Sequence, residues 1–123
     1  MAFVGFVWLY LLGIGMQVFL AGMALFAGTP WTTHAGIGYL VHLTTIPILI
    51  AALLARLKRP MLWWAVALFV VGFVQPLLPS LRAEMPLAAA LHPVLAFAAA
   101  LIAGKLAVDT WPMVRDAGSS TEA

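Results

Sequence analysis

Three histidines are the side chains of this sequence best suited to hold a cofactor, and all three lie in otherwise apolar stretches. His34 and His42 occur together in the segment Thr29–Pro47, and His92 stands alone in a later apolar run. An ionisable residue inside a membrane-spanning helix costs free energy, so such a residue usually serves a function or bonds one helix to another. The imidazoles are therefore the first candidates for a functional site.

Composition restricts the chemistry that those histidines can support. The chain of 123 residues is 65% hydrophobic and only 8% charged, and it contains no cysteine. Thiolate nucleophiles and cysteine-based metal sites are thereby excluded. The carboxylates fall in a loop or near the carboxyl end (Glu84, Asp109, Asp116, Glu122), so no acid–base pair is available and we assign no catalytic residue. Six basic residues form no surface that would bind nucleic acid.

Four apolar runs, each long enough to cross a bilayer as a helix, predict the fold. They cover about residues 3–26, 33–54, 61–78 and 87–108, and turn residues such as Gly28, Pro60 and Pro86 separate them. We predict an all-α bundle of four transmembrane helices in a single domain, residues 1–115. A short disordered cytoplasmic tail, 116–123, is expected to follow it. No internal repeat is evident.

The distribution of basic residues predicts the orientation of the bundle. Five of the six lie at the end that holds both termini, and Arg82 alone lies at the other end (Arg56, Lys58, Arg59, Lys105, Arg115). The positive-inside rule then places both termini in the cytoplasm, with the chain crossing the membrane four times. The first run begins without Lys or Arg, so we expect it to be retained as a helix.

Depth in the membrane suggests which histidines act together. Counted from the outer ends of their helices, His42 lies about 12 Å deep and His92 about 9 Å deep, whereas His34 stays near the surface. Two imidazoles at one level on different helices suit a heme, because a porphyrin supplies four of the six iron ligands. We therefore predict one heme b with His42 and His92 as metal ligands and His34 as a further contact.

Small and interfacial residues complete the predicted heme site. Gly38 precedes His42 by one turn, and Gly15 and Gly22 form a stripe on the first helix that would admit a flat ligand or, equally, a neighbouring helix. Trp31 and Arg82 lie at the outer boundary, where propionates would point, although an aromatic belt and a loop charge explain them as well. Gln17 and Gln75 either orient a histidine or fasten two helices.

Three segments resemble a known group of proteins. They are QVFLAGMALF at 17–26, WTTHAGIGYLVHL at 31–43 and AALHPVLAF at 89–97. Together they resemble a family of small bacterial four-helix membrane proteins of unknown function. More loosely, the layout is similar to that of four-helix membrane b-type cytochromes, in which histidines on different helices bind heme. That likeness implies axial ligation by His42 and His92, and three histidines suffice for one bis-histidine heme only.

Two functions remain open at this stage. The first is a heme protein of the bilayer that transfers electrons or senses redox state or heme, with quinone as one candidate partner. The second is a non-catalytic subunit of a larger membrane complex, or a homo-oligomer, whose His and Gln side chains only fasten helices. Both are carriers or subunits rather than stand-alone enzymes. A transporter is less favoured, because the runs lack paired acidic residues.

Overall fold

The structure is a computed structural model that describes residues 2–119, with side chains to residue 113. It contains helices and turns, and no strand occurs in this described part of the chain. The elements are α1 (Ala2–Phe26), α2 (Trp31–Leu43), α3 (Thr45–Leu54), α4 (Arg59–Val74), a 3-10 segment (Gln75–Ala83), α5 (Pro86–Ala89) and α6 (Leu91–Ser119).

These elements combine into four spans that are long and apolar enough to cross a membrane. Span 1 is Ala2–Phe26, span 2 is Trp31–Leu54, span 3 is Arg59–Ala83 and span 4 is Pro86–Met113. Each span packs against the preceding and the following one, and span 4 closes the ring against span 1. Spans 1 and 3 thus lie on one diagonal and spans 2 and 4 on the other. The predicted all-α, four-helix membrane fold is confirmed.

Two spans end later than the sequence predicted. Span 3 was expected to end at Leu78, but the 3-10 segment carries it to Ala83. Span 4 was expected to end at Val108, and α6 continues without interruption through Ser119. The first residues of the predicted tail, 116–119, are therefore helical, and 120–123 lie outside the described residues.

Prolines explain where the helices break. Thr44 separates α2 from α3 three residues before Pro47, and Ala90 separates α5 from α6 three residues before Pro93. A proline ring clashes with the carbonyl four residues earlier and provides no N–H for it, so the preceding turn tightens or opens. At the first break the Thr45 hydroxyl donates to the His42 carbonyl oxygen at 2.7 Å, which offsets part of the lost bonding.

A closely packed core fills the half of the bundle that holds both termini and the 55–58 loop, here called the closed half. Its fully buried members are aliphatic or small, apart from the two aromatic side chains Phe3 and Tyr10 (Phe3, Val4, Val7, Tyr10, Ile48, Ala52, Ala65, Leu68, Ala99, Ala103, Leu106, Ala107). Many are alanines, and small residues let membrane helices approach closely enough for dispersion contacts to hold them. The closed half is therefore a rigid base for the opposite half.

The outer surface of the bundle is that of a membrane protein. Large apolar side chains point outward along all four spans, as they do where lipid replaces water. Indoles cluster around the closed half: Trp8 meets Trp111 edge-on at 6.4 Å, and Trp63 is 70% exposed. Tryptophan concentrates at the boundary between lipid and water, so these side chains mark one membrane surface.

Spans 2 and 3 are held together by a close contact at Gly72. A Cβ added there would lie 2.6 Å from Thr45 Cγ2, well inside van der Waals distance. Because glycine has only a hydrogen atom in place of a side chain, Gly72 allows α4 to approach α3 this closely. Thr45 is itself buried, and its hydroxyl already bonds the His42 carbonyl, so it cannot move away without cost.

Replacing Gly72 with alanine is expected to destabilise the bundle by about 1–3 kcal/mol, because overpacking a tight contact forces neighbouring groups apart. A lower midpoint of thermal unfolding in detergent would show it. Gly15→Ala is the matched control: among the described residues no atom lies within 4 Å of its added Cβ, so it should be neutral or slightly stabilising. Adding Thr45→Ser to Gly72→Ala should recover part of the loss. Equal midpoints for the two alanine variants would contradict this account of the contact.

Candidate functional site

A cavity of about 430 Å³ occupies the half of the bundle opposite the closed half, here called the cavity half. Its volume falls in the range of pockets that bind small molecules, roughly 300–1,000 Å³. All four spans contribute to its wall, and all three histidines of the chain line it. The lining is Ile14, Gln17, Trp31, His34, Ala35, Gly38, Tyr39, Val41, His42, Gln75, Pro76, Pro79, Ser80, Arg82 and His92.

His92 is held on span 4 by two groups of Gln75 on span 3. Its Nδ1 lies 3.0 Å from the main-chain oxygen of Gln75, and because a carbonyl only accepts, Nδ1 carries the proton. Its Nε2 therefore keeps a lone pair, with the Gln75 amide nitrogen 3.5 Å away. The same amide nitrogen donates to the His92 carbonyl oxygen at 3.3 Å. The imidazole is thus fixed in one tautomer and one orientation.

His34 is held on span 2 in a similar way by Gln17 of span 1. Its Nδ1 lies 3.2 Å from the main-chain oxygen of Gln17 and can donate to it, which would leave the lone pair on Nε2. With its amide nitrogen turned toward His34, Gln17 donates to the His34 carbonyl oxygen at 2.9 Å and accepts from the Gly38 N–H at 3.1 Å. The same amide nitrogen lies 3.1 Å from His34 Nδ1, which accepts from it in the other imidazole tautomer, so these contacts are compatible with both tautomers of His34. We adopt this orientation because it satisfies both ends of the amide.

Two of the three imidazoles meet across the bundle. The rings of His34 and His92 have centroids 6.2 Å apart with an angle of 75° between their planes, so they bridge the diagonal between spans 2 and 4. The ring of His42 lies deeper and packs edge-on against Tyr10, with centroids 6.3 Å apart. The ring contact of His92 is thus with His34, whereas that of His42 is with the top of the closed half.

Unpartnered polar atoms form the floor of the cavity. His42 Nδ1 and Gln75 Oε1 are both buried and have no hydrogen-bond partner among the described residues. Gln75 is only 2% exposed, so its amide oxygen has little access to solvent. Buried polar atoms are normally paired, because leaving one unpaired costs about 1–3 kcal/mol. A molecule in the cavity that donates hydrogen bonds would satisfy both atoms.

The mouth of the cavity lies between spans 2 and 3. Trp31 and Tyr39 on span 2 and Ser80 and Arg82 on span 3 line the cavity and are exposed at the molecular surface. Tyr39 is 55% exposed although it lies eight residues, or about 12 Å, along the helix from Trp31. The exposed part of the cavity lining therefore extends along span 2 from the end of the bundle to Tyr39.

The predicted site residues divide into two groups. His34, His42, His92, Gly38, Trp31 and Arg82 all line the cavity, whereas Gly15 and Gly22 lie elsewhere on span 1. Span 1 contributes Ile14 and Gln17 instead. The sequence analysis did not single out Tyr39, Ser80, Pro76 or Pro79 as site residues. Nothing in their positions along the sequence indicated that they would line a cavity.

The three histidines do not form a site for a bare metal ion. Within the described residues, no group of three or more His, Cys, Asp or Glu side chains is arranged to hold one. A metal that brings its own planar ligands needs only two imidazoles from the protein. The donor set of this cavity, imidazole and carboxamide without carboxylate or thiolate, fits that case better than a tetrahedral one.

Comparison with known proteins places the chain in a family. The profile of DUF6220, described as a family of unknown function, matches residues 17–81, which is more than half of the chain. The protein belongs to this family. The predicted likeness to a small four-helix membrane family of unknown function is thereby confirmed. No curated protein and no solved structure matches the chain. The DUF6220 match includes Gln17, His34, His42 and Gln75, and it ends before His92.

Gln75→Leu tests whether the amide holds His92 in place. The variant removes the donor to His92 while leaving the main-chain bond to Nδ1, so we expect a loss of about 1 kcal/mol, in line with polar contacts between membrane helices. A double-mutant cycle with His92→Ala, followed by thermal unfolding, should show that the two changes are not additive, because the two side chains share the contact between the amide nitrogen and Nε2 at 3.5 Å. Ser80→Ala is the control, because that hydroxyl bonds only the Leu77 carbonyl of its own turn. Full additivity would rule out the contact.

Proposed function

We propose that this DUF6220 protein binds one heme b in the cavity half and serves as an electron carrier or a redox or heme sensor in the membrane. The observation that carries the proposal is the convergence of imidazoles from spans 2 and 4 in one cavity, with His34 and His92 in ring contact. One axial ligand would come from His92 and the other from a histidine of span 2. His42 remains the prediction of the sequence analysis for that second position.

The hydrogen bonds around the histidines support this function. Imidazoles that bind a metal generally donate the other ring nitrogen to a carbonyl or carboxylate, which fixes the tautomer and raises the basicity of the ligating nitrogen. His34 and His92 each have Nδ1 against a main-chain carbonyl oxygen. In the tautomer that donates from Nδ1, each ring keeps its Nε2 lone pair for a metal, and at His92 the Gln75 amide nitrogen, 3.5 Å from Nε2, would have to turn away from that lone pair.

Other residues of the cavity suit the edge of a heme. Arg82 and Trp31 lie at the mouth, where a guanidinium and an indole N–H would meet propionates, and Gly38 leaves the wall of span 2 free of a side chain. A heme bound here would exchange one electron at a time. The side opening beside Tyr39 would admit a lipid-soluble quinone as the redox partner. A larger membrane complex or a second copy is the alternative source of electrons.

The visible spectrum tests the proposal directly. The protein, purified in detergent and supplied with heme, should show a Soret band that shifts and sharpens on dithionite reduction, with resolved α and β bands. His92→Ala should lose the six-coordinate spectrum, and bound heme should fall about tenfold or more, since the residue is proposed as a ligand. Gly22→Ala, outside the cavity, should bind heme like the unaltered protein. A purified protein that stays colourless although excess heme was supplied would contradict the proposal.

The membrane orientation is a further part of the proposal. Five basic residues cluster at the closed half and one at the cavity half, so we infer a bacterial inner membrane with both termini in the cytoplasm. The cavity then faces the outer leaflet. Green fluorescent protein fused after residue 123 should fluoresce, and alkaline phosphatase at the same point should be inactive. Active phosphatase there would reverse the orientation.

A second function is supported by the same contacts. The Gln17–His34 bonds fasten span 1 to span 2, and the Gln75–His92 bonds fasten span 3 to span 4. In a subunit without cofactor these would be structural bonds only, and the cavity would receive a side chain of a partner subunit. Alanine at either histidine would then lower stability without changing any absorption, which the same purified variants reveal.

A further inference from the structure

The chain contains two copies of one glutamine–histidine arrangement. Gln17 precedes His34 by 17 residues, and Gln75 precedes His92 by 17 residues. Both members of the second pair follow the first at the same offset of 58 residues (17 to 75 and 34 to 92). Spans 1 and 2 form one helical hairpin and spans 3 and 4 the other, so each hairpin carries the arrangement once.

Burial follows the same offset in the closed half. Five pairs of positions separated by 58 residues are buried in both hairpins, although their side chains differ. They are Val7 and Ala65, Tyr10 and Leu68, Thr45 and Ala103, Ile48 and Leu106, and Ala52 and Thr110. The corresponding spans therefore present corresponding faces to the bundle interior, and the two hairpins are structural repeats about an axis along the bundle.

The contacts with main-chain oxygens repeat in the two hairpins. In each hairpin the histidine Nδ1 lies against the main-chain oxygen of the glutamine, at 3.2 Å for His34 and 3.0 Å for His92. In each, the glutamine amide nitrogen also reaches the main-chain oxygen of the histidine, at 2.9 Å and 3.3 Å. Each hairpin therefore holds its histidine through the same two contacts with main-chain oxygens, although the amide nitrogen lies beside Nδ1 of His34, at 3.1 Å, and beside Nε2 of His92, at 3.5 Å.

His42 has no counterpart in the second hairpin. The position 58 residues after it is Ala100, which provides no ligand. Depth separates the candidates as well. His34 lies three residues from the start of span 2, His42 eleven residues from it, and His92 six residues from the start of span 4. At about 1.5 Å per residue, His34 is nearer than His42 to the level of His92.

We propose that His34 and His92, the equivalent histidines of the two repeats, are the axial ligands of the heme. This inference rests on the proposed function. The centroid separation of 6.2 Å would suit two imidazoles whose Nε2 atoms both turn toward one iron atom, because each metal–nitrogen bond is about 2 Å. His42 lies beneath the pair, next to Tyr10, as a polar group of the cavity floor.

The assignment is tested by comparing His34→Ala with His42→Ala in the heme-loaded protein. We expect His34→Ala, like His92→Ala, to change the low-spin six-coordinate spectrum to a high-spin five-coordinate one. His42→Ala should keep six-coordinate heme at a similar stoichiometry. Free imidazole is the second measurement: it should restore the low-spin spectrum of His34→Ala, because it replaces a missing ligand, and a purely structural defect would not respond.

The possible results separate this inference from the heme proposal itself. Loss of six-coordinate heme in His42→Ala with retention in His34→Ala would overturn the assignment and leave the heme function intact. Imidazole rescue of His42→Ala but not of His34→Ala would do the same. Retention in both variants would show that neither residue of span 2 is an obligatory ligand, which also overturns it. A colourless unaltered protein would overturn both proposals.

Discussion

The absence of water inside a bilayer is the constraint on which the rest of this structure depends. A polar side chain there must find its partner within the protein. The chain has few such groups in its spans, and it joins them in reciprocal pairs: each glutamine accepts from a histidine and donates to the main chain of the same histidine. Those bonds connect neighbouring spans and hold the imidazole rings in place at the same time.

The two halves of the bundle differ in packing: one is a closely packed core and the other contains the cavity. The core of the closed half consists of small and aliphatic side chains together with Phe3 and Tyr10, and contacts such as Gly72 against Thr45 set the distance between helices there. The cavity half opens because Pro76 and Pro79 convert the end of span 3 to a 3-10 segment, which is narrower and rotates successive side chains differently. A rigid base thus holds four helix ends whose separation leaves room for a ligand.

The fold was predictable because the length of each apolar run and the turn residues beside it are enough to locate a membrane-spanning helix. Proline also accounts for the breaks that precede Pro47 and Pro93. The ring order of the spans and the meeting of His34 with His92 were not predictable, because depth counted from predicted helix starts has errors of several residues. The repeat was hidden for a chemical reason: apolar residues replace one another freely in lipid, as Tyr10 and Leu68 show, and few identities remain besides Gln and His.

The two hairpins are alike in their glutamine–histidine pairs and differ in the helices beside them. Span 1 stays α-helical where its counterpart, span 3, becomes 3-10. Exposed residues of spans 2 and 3, Tyr39 and Arg82 among them, line the cavity, whereas span 1 contributes the half-buried Ile14 and Gln17. If a heme binds between the imidazoles as we propose, its accessible edge would lie beside Tyr39 and Arg82, and electron exchange with a membrane-soluble partner would occur there.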